Sequence, residues 1–243
     1  MKNDFMKTWT NYKWSVIWVL AATVFTACDQ REDPGPRQEA EEDYAILDFD
    51  RLEMGDAFII SVEESAFYSI NVRGDRRNLD DLEVDKVGST LRIRYRTYEN
   101  RQHPTYITIT MPALKEVNFS GASTSTVTGF TGLEDLAVIL SGASVAQMGV
   151  ESQLVNLSVS GASKVTLTGR AATLKATVSG ASVFSGFAFP VAHASVEVSG
   201  ASKMNIMVSQ TLDAIASGAS HILYRGTATV NSSTSGASSV QAD

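Results

Sequence analysis

A single cysteine, three histidines and five prolines are all that 243 residues contain of those types. One thiol cannot close an intrachain disulfide, so no disulfide framework is expected. The histidines, His103, His193 and His221, are scattered, and no Asp-rich loop accompanies them. That leaves no metal-ligand spacing, and neither a metal nor a cofactor is expected. Basic charge is scarce as well: 20 Lys and Arg stand against 27 Asp and Glu, a formal net charge of −7. Such a chain does not carry the basic excess that nucleic acid demands, which excludes nucleic acid as an expected partner. What remains, 44% hydrophobic and 19% charged with 8% aromatics, belongs to a folded chain and not to a disordered one.

The first residues read as an export signal. Lys2, Lys7 and Lys13 precede an apolar run from Trp14 to Ala27, which falls short of the ~20 residues that a spanning helix needs. Cys28 follows at once, and Phe25-Thr26-Ala27-Cys28 is similar to a bacterial lipobox with Phe25 where Leu is usual. Residues 1–27 are therefore expected to be a lipoprotein signal peptide, and Cys28 the lipidated residue that ties the protein to a membrane. An ordinary signal with a stray thiol, or an uncleaved anchor helix, is the alternative. Acyl chains contribute ~0.8 kcal/mol per buried methylene, enough to hold a protein firmly. Cleavage removes Lys2, Lys7, Lys13 and Asp4 and leaves 17 basic and 26 acidic residues. Residues 28–44, acidic and carrying Pro34 and Pro36, read as a flexible tether. Acidic residues directly after the cysteine resemble the surface-export signal of Bacteroidetes lipoproteins. That resemblance implies an outer-membrane, surface-exposed protein, with a periplasm-facing one as the alternative.

From residue 45 to residue 119 the pattern is strand after strand, with no helical period of useful length. Strands are expected at 57–63, 67–73, 81–87, 91–97, 105–111 and 115–119. One hairpin follows in detail: Gly88-Ser89 suits a two-residue turn, which sets Val87 opposite Thr90. In that register Asp85 faces Arg92, Glu83 faces Arg94 and Asp81 faces Arg96, while Val84 meets Ile93 and Leu82 meets Tyr95. A slip of one residue would bury the charges, so the pattern specifies its own pairing. Three carboxylates neutralise the arginines, which argues against a polyanion-binding stripe. Arg73-Gly74-Asp75 matches a cell-attachment tripeptide, but Gly-Asp at a strand end is also an ordinary turn.

Residues 120–243 carry the strongest signal. Ser-Gly-Ala-Ser begins at Ser120, Ser141, Ser160, Ser179, Ser199, Ser217 and Ser235, at spacings of 21, 19, 19, 20, 18 and 18 residues. A unit of this length cannot bury its own apolar face and must stack on copies of itself. The residue before each copy runs Phe119, Leu140, Val159, Val178, Val198, Ala216, Thr234, and two places earlier stand Val117, Val138, Leu157, Ala176, Val196, Ala214, Ser232. A half-buried strand of period two thus leads into every copy. A second strand leaves it, with Ala146, Val165, Phe184, Met204, Ile222 and Val240 inward and Val127 taking that place in the first copy. The fold expected is all-β: a single-stranded β-helix or solenoid with ~19-residue coils, right-handed in preference to a left-handed hexapeptide helix, its N-terminal end capped by the β-rich segment. Gly121, Gly142, Gly161, Gly180, Gly200, Gly218 and Gly236 mark the corners, where glycine supplies backbone freedom. The alanine between is expected to pack inside the corner, and the two serine columns to bond along the stack.

Sevenfold repetition of a serine points to structure, since catalysis needs one site with a base in reach. The carboxylates of the repeats, Glu134, Asp135, Glu151, Glu197, Asp213 and Asp243, do not stack in one column of adjacent coils. No enzymatic activity is expected.

The ordered segments Phe58-Ile59-Ile60-Ser61-Val62, Ile70-Asn71-Val72-Arg73-Gly74-Asp75, Leu91-Arg92-Ile93 and Ile107-Thr108-Ile109-Thr110-Met111-Pro112-Ala113-Leu114 run straight into the first Ser-Gly-Ala-Ser. This order resembles the putative auto-transporter adhesin head GIN domain family of Bacteroidetes, over roughly residues 45–243. The resemblance implies a β-helical fold and cell-surface placement, and it supplies no catalytic or binding residues. The expected function is a cell-surface lipoprotein that acts as an adhesin or binding module for a glycan or a surface protein. A structural or assembly component of the envelope is the alternative, and a carbohydrate-active β-helix enzyme a third.

Overall fold

The computed structural model describes residues 35–243, and the compact unit within them runs from Arg37 to Asp243. Residues 1–27, expected as a signal peptide, and Cys28 lie outside the described residues. The fold is a β-solenoid of about 7 turns with ~19 residues per turn, 63% strand and 2% helix.

The unit opens with β1 (Glu39–Asp43), inside the stretch 28–44 expected as a tether. The next two strands, β2 (Arg51–Met54) and β3 (Ile59–Glu64), make one coil. After them come β4 (Ser69–Asp75), the one-turn helix α1 (Arg76–Asp80), β5 (Leu82–Val87), β6 (Thr90–Tyr95) and β7 (Tyr106–Met111). β1 lies antiparallel on β4, which lies antiparallel on β7. Acidic residues are poor strand formers, so Glu-Ala-Glu-Glu-Asp owes its conformation to its partner. Ala40 is buried, and Asn71 Nδ2 donates to Glu41 and Asp43 at 2.8 Å each. The tether reading therefore does not extend over residues 39–43. The helix departs from the strand-after-strand pattern of residues 45–119; it buries Leu79 in the core and is capped by Asp75.

The β5–β6 hairpin has the register read from its turn: Val87 opposite Thr90, Asp85 opposite Arg92, Glu83 opposite Arg94 and Leu82 opposite Tyr95. Its ion pairs follow that register only in part. Arg94 reaches Glu83 at 3.0 Å, whereas Arg92 turns to Glu53 of the next coil at 3.2 Å. Asp81 bonds Arg101, and Arg96 donates to the Asp80 carbonyl. Strands stacked in parallel place a third neighbour beside each outward residue, and the hairpin pattern alone does not contain it.

The remaining strands build the stack. They are β8 (Glu116–Phe119), β9 (Thr124–Thr128), β10 (Leu133–Leu140), β11 (Val145–Val159), β12 (Lys164–Val178), β13 (Val183–Val198), β14 (Lys203–Ala216), β15 (His221–Arg225), β16 (Thr229–Thr234) and β17 (Ser239–Ala242). β11 to β14 each turn one corner without interruption, so every coil contributes to two walls. The first wall pairs β6, β2, β8, β10, the C-terminal halves of β11–β14, and β16. The second pairs β7, β3, β9, the N-terminal halves of β11–β14, β15 and β17. All these pairings are parallel. The inner row that sequence alignment on the repeat exposes, Val117, Val138, Leu157, Ala176, Val196 and Ala214, is buried and in register, and Leu52 of the inserted coil joins it. Each fully buried Val or Leu contributes about 1.5–3 kcal/mol, and the stack repeats that gain coil after coil.

Insertion of β2–β3 between β6–β7 and β8–β9 brings Met54 beside Phe119, 65 positions apart in the chain. The corner of that coil is Gly55-Asp56-Ala57, with φ of 59° at both Asp56 and Ala57. One departure concerns the first repeat. Ser125, 2% exposed, stands in register with Ala146, and Val127 pairs with Met148. The two extra residues of that 21-residue spacing therefore do not fall in β9. A bulge between Gly186 and Pro190 absorbs the 20-residue spacing of a later coil, a position that suits a residue without an N–H.

The Ser-Gly-Ala-Ser corners turn differently from expectation. The alanines lie exposed, and the second serine points inward: Ser123, Ser144, Ser163, Ser182, Ser202 and Ser220 are each at most 1% exposed. The cause is the glycine. At φ near +75° it breaks the period-two alternation, so that glycine and alanine both stay outside and the next side chain swings in. Only a small side chain fits that inner elbow, and its hydroxyl finds partners close by. Ser144 Oγ donates to the Ser141 carbonyl at 2.9 Å, and Ser123 Oγ bonds Ser144 Oγ at 3.2 Å. The coil-to-coil ladder continues through the corner, with Ala143 N donating to Gly121 O and Ala162 N to Gly142 O at 2.8 Å.

Candidate binding surface

The walls position outward side chains in straight rows, one residue per coil, about 4.8 Å apart. Outward residues on the first wall line a shallow trough that includes Asn156, Lys175, Ser195, Glu197 and Asp213. Lys175 stands in register with Asn156 and Ser195, and Ser195 with Asp213. The acidic side chains Glu197 and Asp213 thus sit in neighbouring rows of one trough, one of them beside serine. A second trough lies near the N-terminal end, where Arg73 stacks over Tyr106 at 5.1 Å with Asn71 and Thr108 beside it.

The second wall has another character. Its central row runs Thr126, Gln147, Thr166, Ser185, Asn205, each in register with the next. The row on its Ser-Gly-Ala-Ser side runs Val145, Lys164, Val183, Lys203, His221. Over β9, β15 and the segments 145–149, 164–168, 183–187 and 203–207, there is no Asp or Glu. Sequence reading found the inward columns because apolar residues announce them. This separation of charge between walls shows only when residues two and four places further on are assigned to a wall.

The residues singled out by sequence fall as follows. The seven glycines sit at the corners with φ of +73° to +77°, and an added Cβ on Gly142, Gly161 or Gly180 would stand 2.3 Å from the glycine carbonyl one coil below. Arg73-Gly74-Asp75 ends a strand and opens a helix turn. Asp75 is 1% exposed, bonded by Arg77 Nη2 at 2.6 Å and by the Gln38 amide at 3.1 Å, so the tripeptide is not displayed as a loop. Arg77 holds the Asp75 carboxyl well below the usual carboxylate range, against an opposing push from burial. His221 Nδ1 meets Ser239 Oγ at 2.9 Å and His193 Nδ1 meets Thr211 Oγ1 at 2.8 Å. Neither partner is a corner serine; Ser220, next to His221, is turned inward onto the Val198 carbonyl. Among the described residues no group of three His, Cys, Asp or Glu side chains is placed to hold a metal ion.

Comparison with known proteins gives the same architecture. A putative adhesin from Bacteroides fragilis NCTC 9343 is 18% identical, with 85% of this chain and 97% of that one covered and a TM-score of 0.75. A protein from Parabacteroides distasonis ATCC 8503 described as a putative lipid binding protein is 18% identical over 85% and 97%, with a TM-score of 0.70. A putative adhesin from Parabacteroides merdae ATCC 43184 is 16% identical over 85% and 96%, with a TM-score of 0.65. At these identities the likeness speaks to the fold. No curated protein matches the sequence. Residues 48–228, from just before β2 to the segment between β15 and β16, match a family described as putative auto-transporter adhesin, head GIN domain, and the chain belongs to that family.

Proposed function

We propose that the protein is a lipid-anchored surface module that binds, rather than transforms, its ligand. The observation that carries this reading is the register of the outward rows. A rigid stack that repeats hydroxyl, amide and charged groups every ~4.8 Å suits contact spread over many weak bonds. Family membership points the same way, to adhesion. The anchor in this reading is Cys28, directly after the apolar run 14–27, with the outer membrane as the site of attachment and the body facing outward. Acyl chains on Cys28 would supply the membrane affinity that no strand of the solenoid needs to provide.

The test uses cells of the source bacterium or a related host. Cys28→Ser should move the protein from the membrane to the soluble fraction and abolish its accessibility to surface labelling. Cells carrying the wild-type chain should adhere to a glycan- or protein-coated support better than cells with Cys28→Ser. Unchanged fractionation would sink the anchor, and equal adhesion would sink the adhesin reading.

A further inference from the structure

We infer that the second wall of the coil stack is a track for an extended acidic polysaccharide. The inference rests on the binding reading above and specifies its ligand class and its face.

Charge is the first reason. The whole chain has a net charge of −7, yet the outward side of this wall from β9 to β14 carries Lys164 and Lys203 and no carboxylate, and the next carboxylate, Asp243, is taken up by Arg225 of β15. Both lysines are exposed, and among the described residues neither has an ion-pair partner; Lys115, far from this wall, is the lysine that is paired. Leaving acidic groups off one wall of an acidic protein costs nothing to the fold, because outward positions do not pack. The first wall, built from the same coils, carries Glu197 and Asp213 in the trough that Lys175 also lines. A ligand with negative charge is complementary to one wall and repelled by the other.

Periodicity is the second. Lys164 and Lys203 stand two coils apart, about 10 Å, with Val183 between them and Val145 one coil before Lys164. Cation and small apolar side chain alternate along this row. Beside it, Thr126, Gln147, Thr166, Ser185 and Asn205 supply a hydroxyl or amide in every coil, until Leu223 ends the row. From Thr126 to Asn205 these five polar side chains cover about 19 Å; beyond Thr126 the row meets Ser61 and Thr108, where Glu63 and Glu41 end the carboxylate-free stretch. A polymer of sugar rings presents hydroxyls throughout, carboxylates at intervals and apolar ring faces between. Those three features match the polar row, the lysines and the valines.

Other polyanions match less well. Nucleic acid needs stacking platforms, and the outward aromatic side chains of this wall are already covered, Phe187 by the Arg225 guanidinium at 4.1 Å and Tyr106 by that of Arg73 at 5.1 Å. An anionic membrane surface calls for clusters of about 4–8 basic residues, and two lysines do not make one.

The experiment measures binding of the full chain, solubilised in detergent, to polygalacturonate and to neutral dextran by affinity electrophoresis. The wild-type protein should be retarded by polygalacturonate and not by dextran, with retardation falling as salt rises. Lys164→Glu combined with Lys203→Glu should weaken binding by about tenfold or more, while Lys175→Glu on the first wall should leave it unchanged. Thr166→Val should weaken it at unchanged net charge. All these side chains point outward, and an unchanged melting temperature verifies that the variants fold. Absence of binding to polygalacturonate, equal binding to dextran, an equal loss with Lys175→Glu, or tighter binding to duplex DNA or to phosphatidylglycerol vesicles would each overturn the inference. Cells with the double charge reversal that adhere as the wild type does, while Cys28→Ser cells do not, would overturn the track and leave the adhesin reading standing.

Discussion

The carbonyl oxygen of Gly142 lies 2.3 Å from the place a Cβ on Gly161 would occupy, and Ala162 N donates to that same oxygen at 2.8 Å. Two demands therefore meet at each corner glycine. The backbone is left-handed, φ +76° at Gly161, and the coil below approaches too closely for any side chain. Gly161→Ala should cost about 3 kcal/mol or more, since the strain of the left-handed residue adds to a backbone clash in mid-stack. Gly88→Ala provides the comparison. Its φ is +62° with nothing within 4 Å of the added carbon, so it should lose only about 1–2 kcal/mol. Urea or thermal melts of both variants check the difference, and equal losses would show that the close approach is not what selects glycine.

The inward serines should not be equivalent. Ser144 Oγ bonds the Ser141 carbonyl and Ser123 Oγ, and Ser144→Ala should cost about 1 kcal/mol. Ser163 Oγ is buried with no hydrogen-bond partner among the described residues. Removing an unpaired polar atom relieves its desolvation cost, so Ser163→Ala should be neutral or stabilising. Denaturation midpoints for the two alanine variants, measured side by side, decide it.

The contrast between alanine and serine at the corner also marks the limit of what the sequence discloses. Apolar rows such as Val138, Leu157 and Val196 are legible because an inward position tolerates little else, and the turn chemistry of Gly88-Ser89 fixes a register that holds residue for residue. Hydrophobicity gives the wrong answer at Ala143 and Ser144, because a left-handed glycine resets which side the next residues face. Composition likewise hides β1, where four acidic residues and one alanine become a strand only because β4 offers a free edge. The coil of β2 and β3 escapes the repeat pattern since its corner is Gly55-Asp56-Ala57. At the candidate surface, the polar rows follow from the repeat, whereas the lack of carboxylates on the middle coils of the second wall shows only once the observed corners assign residues to walls.

Arg92 gives a direct measure of the neighbour that hairpin reasoning lacks. It faces Asp85 across the hairpin and bonds Glu53 of the adjacent coil at 3.2 Å. A double-mutant cycle of Arg92→Gln with Glu53→Gln should yield a coupling of about 0.5 kcal/mol, as for other half-exposed pairs. The same cycle with Asp85→Asn should yield none. Coupling to Asp85 and not to Glu53 would contradict the observed pairing.

The Asp75 carboxylate should govern part of the acid limb of unfolding. Arg77 donates to it from Nε at 2.7 Å and Nη2 at 2.6 Å, and the amides of Gln38 and Arg77 add two bonds at 3.1 Å. These bonds hold its pKa well below the usual value of 3.8 in the folded chain. The unfolded chain therefore binds the proton more readily, and stability must fall as the medium is acidified. The contribution of Asp75 is complete above the unfolded pKa of about 4, declines as pH drops below it, and vanishes only beneath the depressed folded value. Asp75→Asn keeps the shape and loses the charge. It should lower stability by about 2 kcal/mol at pH 7, a figure set below that of a fully buried pair because Arg77 is partly in solvent. It should also flatten the dependence of stability on pH between about 4 and 2. Urea midpoints of wild type and variant across that range give the measurement. Parallel curves would mean that the Asp75 cluster does not titrate with unfolding.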